Sequence, residues 1–235
     1  MAEHAKRKQA IDAESFARLQ EGLFTSPFVG ESPLGGTFEK SRGFALIFRA
    51  DGRSEVEVRF PFLRPYLEAA LDVDLHRKLL PWRERLRKTP PKKTNAFYLN
   101  LLLLGPGDAV GRHVDATLRD VSGVPNALPE RVFVLYIRVP DGRGGPLCLY
   151  RHRAPVGRIQ PVQGDAHLFR GDLAHEVQPF VSDAPNALRA SLVLEQYALP
   201  DENLHLVPQL KVCSKAGFSA YLQPEHRNNP VSSSV

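Results

Sequence analysis

A histidine and an aspartate lie two positions apart at the end of the segment 104–115, which reads Leu-Gly-Pro-Gly-Asp-Ala-Val-Gly-Arg-His-Val-Asp. Alternate side chains of a strand point to the same face, so His113 and Asp115, at a predicted strand end, should point the same way. An imidazole and a carboxylate on one face can hold a metal ion together with a third ligand from a distant strand. So short a motif gains meaning only from its structural context.

Two histidines could supply the third ligand. His175 follows the short turn 171–173, where the mouth of a barrel would lie, whereas His167 lies in the middle of an apolar run. We therefore predict that His175, rather than His167, completes a group of two histidines and one carboxylate. Such a group leaves coordination positions open for other molecules.

Arginine and serine form a second pair with this spacing, Arg189 and Ser191, on the last predicted strand. A guanidinium beside a hydroxyl suits the binding of a carboxylate by charge-assisted hydrogen bonds. A small molecule that chelates a metal at one end and needs an anion-binding group at the other is 2-oxoglutarate. The alternative is that Arg189 belongs to a structural ion pair.

Tyr98 and Asn100 share one face of another predicted strand. Their polar ends make them candidates for contact with 2-oxoglutarate or with a substrate inside a barrel. Hydrogen bonding within the core is the alternative for both side chains.

Short apolar or alternating runs separated by turn residues occupy residues 95–198 and predict eight strands. They cover 95–104, 110–115, 131–139, 146–150, 156–162, 166–170, 174–180 and 188–198. Eight short strands over this length fit a mainly β fold, the double-stranded β-helix (a jelly roll, cupin-like).

The residues before this core predict supporting elements. An amphipathic helix is expected over 10–22, and a longer helical stretch over 66–88, which Pro81 should interrupt. The runs 44–48 and 56–60 flank Asp51-Gly52 and predict a β-hairpin.

We therefore expect one catalytic domain over 1–235. Its parts are a helical and hairpin N-terminal decoration (1–94), the β-helix core (95–198) and a C-terminal extension (199–235), of which 228–235 is polar enough to fray. The long connection 116–130 could act as a lid or recognition loop.

The composition, 43% hydrophobic and 24% charged, is that of a globular protein and excludes collagen, coiled coil and disorder. No apolar run is long enough for a membrane span and the first residues are charged, so a cytoplasmic location without a membrane partner is expected. Cys148 and Cys213 do not form a Cys-x-x-Cys motif, which predicts ordinary reduced thiols.

Positive charge is concentrated in one segment, 76–93, called the basic segment below. It contains eight Lys/Arg and one acid, so its net charge is +7. The net charge of the whole chain is +5, so the rest of the chain carries −2. Charge runs are usually solvated helix faces, and a nucleic acid or another anionic partner is the alternative.

Residues 95–198 resemble the Fe(II)/2-oxoglutarate-dependent dioxygenase superfamily, particularly its prolyl-4-hydroxylase-like branch. The resemblance lies in four segments besides His113-Val-Asp115: Asn100-Leu-Leu-Leu-Leu-Gly-Pro-Gly-Asp108, Gly144-Gly-Pro-Leu-Cys-Leu149, His175-Glu-Val-Gln-Pro179 and Arg189-Ala-Ser191. It implies that His113, Asp115 and His175 bind Fe(II). It also implies that Arg189, assisted by Ser191, holds the distal carboxylate of 2-oxoglutarate.

The activity that the resemblance implies is hydroxylation, with O2, of an unactivated C–H bond in a small molecule or an amino-acid residue, with release of succinate and CO2. Halogenating relatives lack the carboxylate at the position of Asp115, so its presence favours hydroxylation or desaturation. Prolyl hydroxylases usually have lysine where Arg189 stands. The resemblance therefore supports the cofactor chemistry better than it supports proline as the substrate.

Two other functions use the same motifs. A nucleic-acid dealkylase of the alkylation-repair type would explain the basic segment. Those enzymes carry a further arginine shortly after the first, whereas Arg189 is followed by Ala-Ser-Leu-Val-Leu-Glu-Gln-Tyr. A non-catalytic, cupin-like binding module with a vestigial metal site is the other alternative.

Overall fold

The computed structural model describes residues 3–28, 30–31, 42–87 and 90–214. Its strands are β1 (His4–Arg7), β2 (Gly30–Glu31), β3 (Arg42–Gly43), β4 (Ala45–Arg49), β5 (Ala96–Leu104), β6 (Val110–His113), β7 (Arg131–Arg138), β8 (Arg143–Gly144), β9 (Leu147–Arg151), β10 (Ala154–Ile159), β11 (Ala166–Arg170), β12 (Ala174–Val177), β13 (Phe180–Val181), β14 (Arg189–Tyr197) and β15 (Leu210–Cys213). Its α-helices are α1 (Ala13–Phe24), α2 (Arg53–Arg59), α3 (Arg64–Ala70), α4 (Val73–Arg77), α5 (Trp82–Leu86), α6 (Thr117–Ser122) and α7 (Asp201–Leu204).

Two antiparallel sheets form the centre of the protein. The described strands of the larger sheet include the run β11-β7-β14-β5, and those of the smaller sheet follow the order β10-β9-β12-β6. The chain crosses repeatedly from one sheet to the other, which is the connectivity of a jelly roll. The predicted fold class is confirmed. Each predicted strand overlaps an observed one, and the run 174–180 overlaps both β12 and β13.

Alternation along β14 gives the larger sheet two different faces. Ala190, Leu192 and Leu194 point outward and are fully buried in the main hydrophobic core, which also contains residues of α1 and α3. Arg189 and Glu195, on the alternate positions, line the space between the sheets. Burying one leucine side chain contributes roughly 1.5–3 kcal/mol, so the outward residues hold the sheet against the helices while the inward ones are available for chemistry.

The helices before the core agree in part with the prediction. α1 overlaps the expected helix over 10–22 and ends two residues later. Its N-cap is Asp12, whose carboxylate accepts a hydrogen bond of 2.9 Å from the Ser15 amide. That bond is the usual N-cap interaction. The stretch 66–88 is divided into α3, α4 and α5, and Pro81 directly precedes α5, as its fixed φ predicts.

The predicted hairpin over 44–60 is wrong, because residues 56–60 contribute to α2 instead of a strand. Asp51-Gly52 forms a turn of 3-10 helix, in which the φ of Gly52 is −86°. Charges four residues apart stabilise the helix, as in the Arg53–Glu57 pair at 2.7 Å. Val56 is fully buried while Val58 is 77% exposed, so the run follows a helical rather than a strand period.

The C-terminal extension returns to the larger sheet, where β15 pairs antiparallel with β4. The predicted frayed tail, 228–235, lies outside the described residues. Cys148 and Cys213 are both free thiols, as predicted. Among the described residues, no helix combines the length and the apolar character needed to cross a membrane.

The described part of the basic segment lies at the surface, on α5 and its flanks. Trp82 is 59% exposed there, and the Arg83 guanidinium lies 5.5 Å from the centre of its ring. An anionic partner for this surface stays a prediction.

Candidate metal centre and its cavity

Two neighbouring strands of the smaller sheet bring the predicted metal ligands together. β6 and β12 pair so that His113 lies opposite His175, with 4.3 Å between the ring centres. Asp115 follows β6. Its Oδ1 lies 3.3 Å from His113 Nε2, and its Oδ2 lies 3.6 Å from His175 Nε2. One ligand atom from each residue lies within 4.8 Å of the other two, so one ion could contact all three.

Backbone carbonyls orient both imidazoles. His113 Nδ1 lies 2.7 Å from the Gly111 oxygen, and His175 Nδ1 lies 3.2 Å from the Leu173 oxygen. Since a carbonyl oxygen only accepts hydrogen bonds, each Nδ1 donates. In the neutral ring, the lone pair then lies on Nε2, which faces Asp115. This is the usual arrangement around metal-binding histidines.

The three groups also set each other's charge. Burial raises the pKa of Asp115, but the charge of His175 and the hydrogen bond from His113 outweigh it, so the net shift is downward. Burial lowers the pKa of His175, and the Asp115 charge offsets only part of this effect. At neutral pH the site therefore offers the Asp115 carboxylate and the neutral His175 imidazole, which are the protonation states that bind metal. Burial lowers the pKa of His113, but the hydrogen bond and charge of Asp115 outweigh it and raise this pKa, so a metal ion would have to displace a proton there.

The donor set fits a metal ion. Asp115 Oδ2 is buried and accepts no hydrogen bond from the described residues, which leaves it uncompensated without a cation. Two imidazole nitrogens and one carboxylate oxygen form the donor set of the Fe(II) facial triad. In the described ranges, no other group of three His, Cys, Asp or Glu side chains could hold an ion.

The rival histidine lies elsewhere. His167 is in β11, opposite Lys6 of β1, and its nearest rings are those of Tyr136 at 6.0 Å and His4 at 6.3 Å. Burial, followed by the charge of Lys6, lowers its pKa to about 4. His167 is thus a neutral histidine of the interior, and the geometry favours His175 as the third ligand.

The triad opens into a cavity of about 50 Å³ between the two sheets. Its lining is mainly apolar, with a few polar groups, as is usual for small-molecule sites. The lining residues are Asn100, Leu102, Val110, His113, Asp115, Val132, Val134, Tyr136, Leu147, Phe169, His175, Val177, Arg189, Ser191, Val193 and Glu195.

Arg189 is a buried cation with no carboxylate partner among the described residues. It is 2% exposed, its Nη1 donates to the Gly145 oxygen at 2.5 Å, and its buried Nε has no hydrogen-bond partner in the described part of the chain. Burial lowers its pKa, yet a guanidinium stays charged at neutral pH. The structural ion pair considered as an alternative is therefore not formed within the described residues.

Gly145 makes room for this guanidinium. Its φ is +67°, a left-handed conformation that favours glycine, and a Cβ there would lie only 2.7 Å from Arg189 Nη1. A glycine at the second position of the Gly144-Gly145 motif thus leaves space for the Arg189 side chain at the predicted carboxylate site.

The strand register divides the polar residues on the inward face of the larger sheet into two groups. Tyr136 lies opposite Ser191; burial raises its pKa, and the nearby Arg189 charge opposes this rise. With Arg189 these residues form what we call the Arg189 end. Tyr98 lies opposite Glu195 and Asn100 opposite Val193; with Glu195 they form the Glu195 end. The register therefore places Tyr98 and Asn100 away from Arg189.

Sequence reasoning missed Tyr136 and Glu195. Tyr136 is hidden in a run of apolar residues. Glu195 had a usable signal, because it continues the alternation of Arg189 and Ser191 along one strand. A carboxylate on the inward face of an apolar strand is costly unless it has a partner.

This jelly roll, with its inward His-Asp-His group, is the fold of the 2-oxoglutarate- and Fe(II)-dependent oxygenases. One similar structure is a Trichoplax adhaerens prolyl hydroxylase in complex with a hypoxia inducible factor peptide, at 16% identity and a TM-score of 0.55 over 87% of this chain and 86% of that one. A Pseudomonas putida prolyl-4-hydroxylase matches at 14% identity and a TM-score of 0.51 over 85% and 95%.

A third similar structure is a 2OG-Fe(II) oxygenase family oxidoreductase from Burkholderia pseudomallei, at 18% identity and a TM-score of 0.52, covering 83% of this chain and 84% of that chain. No protein-family model matches the sequence, and no curated protein matches it. At such low identity the likeness establishes a shared fold. The resemblance found in the motifs is confirmed at that level.

Proposed function

We propose that the protein is an Fe(II)- and 2-oxoglutarate-dependent oxygenase that hydroxylates a C–H bond of a small molecule or an amino-acid residue. The observation that carries the proposal is one cavity that holds both the His-Asp-His group and the buried, carboxylate-free Arg189. A metal site alone would fit many proteins. A metal site that shares its cavity with a buried cation fits a chelating dicarboxylate.

His113, Asp115 and His175 would hold the metal through three positions and leave the remaining positions open. When bound, Fe(II) and 2-oxoglutarate would supply the reduction of O2, with one oxygen atom entering the C–H bond as a hydroxyl and the other entering succinate as 2-oxoglutarate loses CO2. The protein's own part is to hold the target carbon at the metal and to exclude water from the site. The apolar side chains of the cavity, such as Val132, Val134 and Val177, serve that purpose.

The Arg189 end would bind the distal carboxylate of 2-oxoglutarate. Arg189 supplies the charge, Ser191 supplies a hydroxyl, and Tyr136 lies across from Ser191 on β7. Hydrogen bonds to charged groups contribute about 1.5–3 kcal/mol each, and burial keeps water from competing. The carboxylate would in turn compensate the buried guanidinium.

The test is formation of succinate from 2-oxoglutarate by the Fe(II)-loaded protein, with amino acids, peptides and small molecules offered as substrates. Asp115→Ala should abolish turnover, because it removes the anionic ligand. Asp120→Ala, which changes an exposed carboxylate of α6, is the matched control and should keep it.

Two results would overturn the proposal. One is Fe(II)-loaded protein that neither binds 2-oxoglutarate nor converts it with any substrate offered. The other is an Asp115→Ala protein as active as the wild type. A binding module with a vestigial metal site would instead bind its partner equally well with and without Asp115.

A further inference from the structure

Glu195 brings a carboxyl group into the same cavity that holds Arg189. It lines the cavity from β14, six positions beyond Arg189, and is only 4% exposed. Six strand residues span roughly 20 Å. The two charged side chains therefore lie at well-separated points of one wall.

The contacts of Glu195 leave part of its carboxylate open. One oxygen accepts a hydrogen bond of 2.7 Å from the Thr117 hydroxyl, and the other accepts one from the Tyr197 hydroxyl. A carboxylate has about four acceptor positions, so each oxygen keeps room for a second donor. Within the described residues, no Lys, Arg or His forms an ion pair with it. Burial, followed by the Asp115 charge, raises its pKa well above the usual range, so the carboxyl holds a proton in the empty cavity and ionises only when a cation compensates its charge.

Two polar side chains of β5 lie near Glu195 in the strand register. The Asn100 side chain lines the cavity, is 5% exposed and makes no hydrogen bond with the described residues. The Tyr98 hydroxyl, on the residue directly across from Glu195, is buried and also lacks a partner in the described part of the chain. Buried polar groups in folded proteins are nearly always hydrogen-bonded, so several unsatisfied groups beside one cavity indicate a place for a polar ligand.

We infer that the Glu195 end binds the substrate, and that the substrate presents a cationic nitrogen, an ammonium or a guanidinium, to Glu195. The inference rests on the proposed function and names its substrate class. The cation compensates the buried carboxylate, as no described side chain does, and its N–H groups occupy the open acceptor positions. Asn100 lies on β5, two positions from Tyr98, which is opposite Glu195, and its amide oxygen can accept a further hydrogen bond from an N–H group of the substrate.

Charge separates this substrate from 2-oxoglutarate. A dicarboxylate is attracted to Arg189 and opposes the ionisation of Glu195, whereas a cation has the opposite preference. In a cavity of low polarity such interactions are stronger than in water. Each ligand is thus directed to its own end.

A purely structural role for Glu195 would account for two of its contacts. Its carboxylate joins Tyr197 to Thr117, and the Tyr197 oxygen accepts from the Leu118 amide at 3.4 Å, so the group fastens the start of α6. That role does not explain why Glu195 and Asn100 both line the cavity. The experiment must therefore separate recognition from support.

The experiment measures binding by calorimetry to protein loaded with Mn(II), a redox-silent substitute for Fe(II), and 2-oxoglutarate. The probes are two matched pairs: L-arginine with L-citrulline, and L-lysine with L-norleucine. Each pair is similar in size and differs in the side-chain cation. We expect the affinity for at least one cationic probe to be at least about 10-fold higher than the affinity for its neutral partner, the effect of one hydrogen bond to a charged group. In Glu195→Gln this preference should disappear.

Glu130→Gln is the matched control, since Glu130 pairs with Lys92 away from the cavity and should keep the preference. If neither cation binds the wild type more tightly than its neutral partner, the inference is overturned, and this comparison needs no variant. If Glu195→Gln folds and keeps the preference, it is also overturned. Failure to bind Mn(II) or 2-oxoglutarate would contradict the proposed function itself, so the two failures are distinguishable.

Discussion

The two ends of the cavity are built on the same strand and differ in charge. At the Arg189 end, a buried guanidinium has one protein acceptor, the Gly145 oxygen. At the Glu195 end, a buried carboxylate has two hydroxyl donors and no cation among the described residues. In the described structure no opposite charge lies within ion-pair distance of either group, and burial raises the pKa of Glu195 well above its usual range.

This difference shows how one strand can sort two ligands. Because inward positions alternate, β14 presents Arg189, Ser191, Val193 and Glu195 in a row along one cavity wall. A ligand that matched the wrong end would leave its own charge and the protein's charge unpaired, which is expensive in a buried site. The polarity of the wall therefore contributes to specificity through repulsion as well as attraction.

Removal of the centre that both ends share should have the largest effect. In His175→Ala we expect the affinity for Mn(II) to fall at least about 100-fold, since loss of even an outer partner of a metal ligand costs about 10- to 100-fold. Metal binding is measured by calorimetry or by electron paramagnetic resonance of free Mn(II).

His167→Asn is the control for this substitution, because His167 is a buried histidine outside the triad. It should keep the Mn(II) affinity of the wild type even if it loses stability. Loss of metal binding in folded His167→Asn, with retention in His175→Ala, would reverse the assignment of the third ligand.

Removal of the charge at one end should affect one ligand. Arg189→Met keeps much of the side-chain length and should weaken 2-oxoglutarate about 100-fold, as expected for two lost charge-assisted hydrogen bonds. Arg189→Lys should recover only part of the affinity, because an ammonium lacks the planar fork. The readout is the Kd for 2-oxoglutarate in Mn(II)-loaded protein. Unchanged affinity in Arg189→Met would show that this end does not bind the cosubstrate.

Displacement of the guanidinium should have a smaller effect. Gly145→Ala places a Cβ 2.7 Å from Arg189 Nη1, so the side chain must shift, and we expect about a 10-fold loss of 2-oxoglutarate affinity, as for one charged hydrogen bond.

Gly164→Ala is matched to it, since Gly164 has a φ of +82° and nothing within 4 Å of the added Cβ. Both variants should lose about 1–2 kcal/mol of stability from the left-handed conformation. Only Gly145→Ala should lose cosubstrate affinity. Equal losses of affinity in the two variants would mean that backbone strain, rather than the position of Arg189, is responsible.

Removal of a single hydroxyl should have the smallest effect on the affinity for 2-oxoglutarate. Tyr136→Phe, at the Arg189 end, should weaken 2-oxoglutarate about 2- to 10-fold, the value of one ordinary hydrogen bond. Tyr98→Phe, at the Glu195 end, should leave that affinity unchanged, since its hydroxyl lies opposite Glu195. A larger loss in Tyr98→Phe than in Tyr136→Phe, measured by the same titration, would contradict the division of the cavity.

Much of the fold was accessible from the sequence, because the eight core strands are short runs bounded by turn residues. The hairpin prediction failed at 56–60 because Val56, Val58 and Phe60 alternate like a strand, while the charges around them are spaced for a helix. Four-residue spacing of Arg53 and Glu57 decided the outcome.

The candidate site could likewise be predicted from the sequence only in part. The motif spacing singled out His113, Asp115 and His175, which the structure brings together. It could not show that Tyr98 lies across from Glu195 rather than Arg189, because that depends on the register between β5 and β14. Register follows from packing over the whole sheet, and one residue of slip would reverse every face.

The most direct test is the affinity of the wild-type protein for 2-oxoglutarate with and without Mn(II), in the absence of any substrate. If the triad and Arg189 hold the two ends of the same molecule, one Mn(II) per chain should bind, and it should tighten 2-oxoglutarate binding by about 10-fold or more, a coupling of at least 1.4 kcal/mol. Equal affinity with and without the metal, or no binding in either case, would contradict the account.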